Sequence, residues 1–247
     1  MLSTLGIVDL FLTGQPQETI RRKAALLTRC LDGKSMLEWI IRRATESQWL
    51  DGVIVLTGQS PEQRELAARI PPDVPVFVSG AADPLAACVE ALGVYTSKSA
   101  VLIATDTPLV DPDLIDRLVR AASGDADCDS ITYQVSDGPA TAPSKVGLFA
   151  QWCSAAALAR ANRKAASPAE RATATQYIYA HQEFFRLRLT QPPAELDRAD
   201  LRLRVESEED WDHVASILEA LGPEDLQWQS IVRLLQSQPE LRQRMAL

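Results

Sequence analysis

Apolar, β-prone runs alternate with amphipathic helical patterns through the first half of the chain. Leu5 to Leu12, Val53 to Thr57, Val76 to Val78 and Ala100 to Thr105 read as strands, with helical periodicity near 17–30, 35–48, 61–69, 83–95 and 111–122. Strands separated by helices predict parallel pairing through crossover connections, hence a three-layer α/β/α architecture around a mostly parallel central sheet. Beyond about Gly124 the pattern changes: Asp129 to Val135 and Phe184 to Leu189 read as strands, and the Ala-rich segments 153–165 and 168–180 as helices. Leu201 to Val205 alternates as a final strand, and Ser207 caps a helix running to about Leu221, ended by Gly222-Pro223. The division expected is one α/β domain over 1–221 and an amphipathic helical tail over 222–247.

With 247 residues, 46% of them hydrophobic, the chain has enough apolar side chains for one large core. No run of about 18 apolar residues occurs, and the N-terminal stretch has no basic region before its apolar residues, so neither a membrane span nor a signal peptide is expected. The expected location is cytoplasmic. Cys30, Cys88, Cys128 and Cys153 are widely spaced, which suggests reduced thiols rather than a zinc site or disulfides. A net charge of −8 disfavours nucleic acid as a partner, while Arg21, Arg22, Lys23 and Lys34 could still hold a small phosphorylated ligand. Two histidines are too few for a histidine-based metal cluster. The Ala-rich helices suggest close packing or a subunit contact, and with the amphipathic tail they make a homodimer an expectation.

Candidate chemistry concentrates at Val101 to Val119, where an apolar strand ends at Thr105 and Asp106 and a helix follows, capped by Asp111 with Pro112 in its first turn. Ligands of open parallel sheets collect at the carboxyl ends of strands. A carboxylate there either binds Mg²⁺, which takes one or two oxygen ligands from protein, or closes an Asp-x-Pro turn. Thr57 ends a strand in the same way. After the first strand come Thr13-Gly14-Gln15-Pro16 and then Arg22-Lys23, where a Gly in the turn allows close backbone approach to phosphate and the cations neutralise it. Neither GxGxxG nor GxxxxGK[ST] is present.

Several segments, in order along the chain, resemble one family. Ala104-Thr105-Asp106-Thr107-Pro108-Leu109-Val110-Asp111-Pro112-Asp113-Leu114-Ile115-Asp116 resembles a strand-Gly-Asp-x-Pro-Leu-Ile-Asp-Pro-x-Leu-Ile-Asp motif, and Leu201 to Asp210 is similar to Leu-Arg-Leu-Thr-Val-Asp-x-x-Glu-Asp. Asp32 to Leu37, Gly80 to Leu85 and the Ile-x-x-Leu-Leu-x-x-x-Pro-Glu-Leu tail match further segments. These are motifs of the SpsF-like nucleotidyltransferases, spore coat polysaccharide biosynthesis proteins related to acylneuraminate and KDO cytidylyltransferases. The resemblance implies a nucleotide-diphospho-sugar transferase (Rossmann-like) fold. It also implies transfer of a nucleotidyl group from an NTP, CTP above all, to a sugar acid or sugar phosphate, with release of pyrophosphate. By the same resemblance Asp106 and Glu206 hold Mg²⁺, Lys23 and Asp106 are catalytic, and Thr13, Gly14, Gln15, Arg22, Thr57, Thr105, Arg171 and Thr175 contact substrate.

The departures are local. The family's first loop, Arg-x-x-Ser-x-Arg-Leu-Pro-x-Lys, is replaced by Phe11 to Lys23, in which only the closing basic residues can substitute. The Gly before the motif Asp is Thr105, the late Asp is Glu206, and the Glu and His of a middle segment are Ala172 and Thr173, although Arg171, Thr175, Tyr177 and Ile178 match. The Pro-x-Gly-x-x-x-Glu acceptor segment keeps Pro143 but has Phe149 for its Glu. These losses leave a second expectation, a catalytically inactive homologue that binds nucleotide or sugar or acts as a subunit.

Overall fold

The structure, a computed structural model, describes residues 2–12, 16–125, 127–136, 146–198 and 200–245. Its first half runs β1 (Leu2–Asp9), α1 (Gln17–Leu27), β2 (Cys30–Leu31), β3 (Lys34–Ser35), α2 (Met36–Thr45), β4 (Gly52–Thr57), α3 (Pro61–Ala67), β5 (Val76–Val78), α4 (Pro84–Val94), β6 (Ser97–Ala104) and α5 (Pro112–Ser123). The second half contributes β7 (Ser130–Tyr133), β8 (Gln151–Ser154), α6 (Ala155–Lys164), α7 (Gln176–Ala180), β9 (Leu187–Thr190), α8 (Glu208–Leu221), α9 (Trp228–Ser237) and α10 (Pro239–Met245).

Among the described residues, seven strands form the central sheet in the order β5-β4-β1-β6-β8-β7-β9. Pairing is parallel except along β8, which is antiparallel to both β6 and β7, so the sheet is mostly parallel as expected. Period-two alternation gives the central strands β1, β4 and β6 two buried faces. On β1, Val8 enters a core shared with α1, α2, α3, α5, α8 and α9, while Leu5 and Ile7 enter one shared with α4, α6 and α7. Fully buried residues such as Ile7, Ile40 and Leu114 each contribute roughly 1.5–3 kcal/mol of transfer free energy. Helix starts follow local chemistry: Ser35, Ser60, Asp83, Asp111, Ser154 and Ser207 each accept an N–H of the first turn. The Ala-rich helix α6 packs Ala157 and Ala161 within the second core, against α4. The tail of 222–247 adds Leu226, Trp228, Ile231, Val232 and Leu235 to the first core. Among the described residues no helix is long and apolar enough to cross a membrane. Three cysteines are buried, Cys30 is exposed, and all four are unpaired.

Four expectations about elements are corrected. Leu201 to Val205 is not a strand: Leu203 N–H bonds to the Val146 carbonyl and Val205 N–H to the Asp106 carbonyl, so its partners are loops. The segment 168–180 is helical only over α7, because Glu170 accepts the N–H groups of Ala166 and Ser167 and holds the stretch before it in turns. The helix expected from 153 starts after Ser154, since 151–154 pairs between β6 and β7 as β8. The helix expected over 17–30 gives way to an unforeseen hairpin of β2 and β3, turned at Asp32 and Gly33, both with positive φ.

Candidate active site

The chain passes from β1 to β4 and β5 on one side, then returns to β6 on the other, so strand order reverses beside β1. Ligand crevices form outside the carboxyl ends of strands at such a switch point. A cleft of about 410 Å³ opens there, lined in part by Asp9, Thr107, Gln151, Thr175, Tyr179 and Arg204.

Asp9 is the last residue of β1 and lies in register with Ala104, the last of β6. Its carboxylate accepts the Phe11 N–H at 3.0 Å. Burial pushes its pKa from 3.8 up to about 6, opposed by the Phe11 hydrogen bond and by the charge of Lys23 on α1. Tyr179 lines the same cleft, and burial raises its phenol to about 12. Thr175 donates its hydroxyl to Gln151 Oε1 at 2.9 Å, which fixes the amide on the cleft wall.

Asp106 stands two residues beyond β6. Arg204 donates to its Oδ2 through Nε at 3.0 Å and also through Nη2, while Asp106 Oδ1 is buried without a hydrogen-bond partner. The turn itself is closed by Thr107, whose hydroxyl donates to the Ala104 carbonyl at 2.8 Å. Asp106 therefore does not serve as the turn's acceptor. Gly147 sets the approach of the late segment: its φ is +83°, and a Cβ there would lie 2.5 Å from the Leu203 carbonyl carbon and 2.6 Å from the Arg204 nitrogen. Only a glycine allows that contact.

Glu206 follows two residues after Arg204. Its Oε2 accepts from Arg202 Nη2 at 3.1 Å, its Oε1 lies 3.9 Å from Arg204 Nη2, and its carbonyl accepts from Arg22 Nη2 at 3.1 Å. Arg204 thus faces both motif carboxylates, and Arg22 and Lys23 of α1 bring positive charge to the same rim. Among the described residues no group of three or more His, Cys, Asp or Glu side chains is placed to hold a metal ion. The unpartnered Oδ1 of Asp106 is the kind of oxygen donor that Mg²⁺ takes from protein beside phosphate and water, with Glu206 on the far side of the Arg204 guanidinium.

The other expected site residues divide. Thr57 ends β4 fully buried with its hydroxyl unpartnered, and Thr105 lies half-buried in the turn after β6. Arg171 is committed elsewhere, to Asp83 and Asn162 Oδ1 at 2.9 Å each, with further bonds to the Asn162 and Ala165 carbonyls. It ties α6 to the start of α4. Thr13, Gly14, Gln15 and Pro143 lie outside the described residues. Asp111 is structural: it accepts from Leu114 N–H at 3.0 Å and Trp228 N–H at 2.9 Å, beside the buried Arg43.

The residues missed from sequence are Asp9, Gln151, Tyr179 and Arg204. Asp9 ends its strand in a carboxylate, the same signal that singled out Asp106. Arg204 stands where the matched motif has Thr, a charge in place of a hydroxyl.

Residues 21–186 match the MobA-like NTP transferase domain. The chain belongs to that family. The chain also superposes on solved structures over most of its length. A cytidylyltransferase from Leptospira borgpetersenii serovar Hardjo-bovis (strain JB197) aligns with a TM-score of 0.81 at 17% identity, covering 98% of each chain. CMP:2-keto-3-deoxy-manno-octonic acid synthetase complexed with CTP aligns at 0.63 and 11% identity, over 88% of this chain and 99% of that one. Rv0371c from Mycobacterium tuberculosis H37Rv, in complex with manganese, aligns at 0.56 and 17% identity, over 87% and 98%. At these low identities the superpositions show a shared fold. Asp106 falls inside the matched family segment, whereas Arg204 and Glu206 lie beyond it.

Proposed function

We propose that this NTP transferase moves a cytidylyl group from CTP to a sugar acid or sugar phosphate during synthesis of cell-surface polysaccharide. An acceptor oxygen bonds to the α-phosphorus, the bond to the bridging oxygen breaks, and pyrophosphate leaves. The observation that carries this reading is the buried, unpartnered Oδ1 of Asp106, whose other oxygen is held by Arg204 on the wall of the switch-point cleft, on a fold shared with cytidylyltransferases. Asp106 and Glu206 would hold Mg²⁺, which would neutralise charge on the phosphates. Lys23 and Arg22 face the triphosphate, with Thr13, Gly14 and Gln15 in the first loop. Thr57 and Thr105 border the nucleotide, and Thr175 the acceptor. Arg171 ties α6 to the start of α4 through Asn162 and Asp83 rather than touching substrate.

A second reading has its own support: a guanidinium already rests on Asp106, which suits a protein that binds nucleotide without turning it over. Calorimetric titration with CTP and Mg²⁺, followed by a pyrophosphate-release assay over a panel of sugar acids and sugar phosphates, separates the two. Release with an acceptor supports transfer, binding without release supports the silent relative, and absence of CTP binding removes both.

A further inference from the structure

We infer that Arg204 is an internal counter-ion: in the ligand-free protein it holds Asp106 in place of a divalent cation, and metal enters as a phosphorylated ligand draws the guanidinium away. The inference rests on the assignment of Asp106 and Glu206 as the cation-holding pair. Arg204 places two nitrogens on Asp106 Oδ2 and one nitrogen 3.9 Å from Glu206 Oε1. Arg202 takes the other Glu206 oxygen at 3.1 Å. Both carboxylates are therefore already faced by positive charge.

A guanidinium cannot leave by losing its proton, so a divalent ion arriving alone must push a fixed charge aside or sit against it. A phosphorylated ligand changes the balance, because the planar fork that grips a carboxylate grips phosphoryl oxygens equally well. The movement is confined to one side chain. Gly147 and the Val205–Asp106 backbone hydrogen bond at 2.8 Å pin the Arg204 main chain, while the Arg204 side chain is 26% exposed and borders the cleft into which it would turn. Release of Oδ2 then sets it beside Oδ1, which has no partner to lose. By linkage, a nucleoside triphosphate and a divalent cation should each strengthen binding of the other, with Arg204 carrying the coupling.

The test is binding of Mn²⁺ alone to the full-length protein without nucleotide, measured from the free-ion electron paramagnetic resonance signal. Arg204→Gln should bind Mn²⁺ at least about tenfold more tightly than the wild type. Adding Asp106→Asn to that variant should abolish the gain. Arg204→Lys, which keeps the charge but loses the two-nitrogen grip, should fall between, and serves alone if the Gln variant does not fold. Equal Mn²⁺ affinity in wild type and variants, or a gain that survives Asp106→Asn, overturns the inference. If pyrophosphate is released but the affinities are equal, the counter-ion fails and the transferase reading stands. If the affinity order holds without pyrophosphate release, the reverse is true.

Discussion

Arg204 and Asp106 are joined 98 residues apart in sequence by two donors on one carboxylate oxygen, and the contact exists because Gly147 lets the late segment pass against its backbone. The strand-end carboxylate, the loop carrying Gly147 and the segment before α8 are thereby one unit, so changes in any of them register at the cleft.

Gly147→Ala tests that unit. The added methyl would meet main-chain atoms at 2.5 and 2.6 Å, and the φ of +83° is itself unfavourable for alanine. Neither contact can be relieved by rotating a side chain. A loss of more than about 2 kcal/mol is expected, read as a lower urea midpoint with unchanged slope. CTP binding should weaken as well, because Arg204 moves with the displaced backbone.

Asp9 makes stability depend on pH with a definite sign. Its folded-state pKa of about 6 lies above the ordinary 3.8, so the native protein holds the proton more tightly than the unfolded chain. The contribution is whole below pH 3.8 and is lost as pH rises through about 6. Asp9→Asn removes the burden of an ionised, desolvated carboxylate. At pH 7 the variant should therefore be more stable than the wild type by up to about 3 kcal/mol, with the difference shrinking towards pH 4. Urea denaturation at the two pH values measures this, and a variant less stable at pH 7 would contradict a desolvated carboxylate at Asp9, which is half-buried at the cleft.

The parallel half of the sheet was legible because its strands are apolar on both faces and its helices carry strong start signals, as at Ser35 and Asp111. Boundaries were less legible where polar residues sit inside elements. The start of β6 is Ser97-Lys98-Ser99, and its hydroxyls are satisfied by Ser3, Thr4 and Ser99 itself. No period marks such a start. Asp106 and Glu206 were visible as motif carboxylates. Arg204 was not, because its meaning depends on Gly147 and on a partner 98 positions away. Arg171 carried a matching residue type, yet Asp83 and Asn162 take its donors in three dimensions.

His181 offers a titration outside the cleft. Glu170 and Glu183 accept hydrogen bonds from its ring and raise its pKa above 6.5, and Glu170 in turn is held at about 2, chiefly by the Ser167 and Ala166 N–H groups. The stabilisation from the pair is present between pH 4.5 and 6.5, lost as pH rises through the folded-state value of His181 and lost again as pH falls through the Glu170 value of about 2. In an NMR titration the His181 ring should titrate above 6.5, and Glu170→Gln should lower its midpoint. An unchanged midpoint would mean the contact does not persist in solution.

Asp111 and Asp106 are five positions apart in one motif, yet they should respond oppositely to substitution. Asp111 is 1% exposed and accepts two N–H groups from different helices beside the buried Arg43. Asp111→Ala strands those donors and should cost about 3–5 kcal/mol, seen as a fall in the midpoint of thermal or urea unfolding.

Asp106→Asn keeps the shape of the side chain and removes its charge. The pair with Arg204 is partly open to the cleft, so its loss should cost no more than about 1 kcal/mol. The Oδ1 position has no hydrogen bond to forfeit. If that oxygen is there to hold charge at the phosphates, turnover should fall by about a hundredfold or more while CTP still binds. Pyrophosphate release measured beside the melting curve decides the matter: a stable variant without turnover assigns Asp106 to the chemistry, and a stable variant with full turnover would remove it from the site.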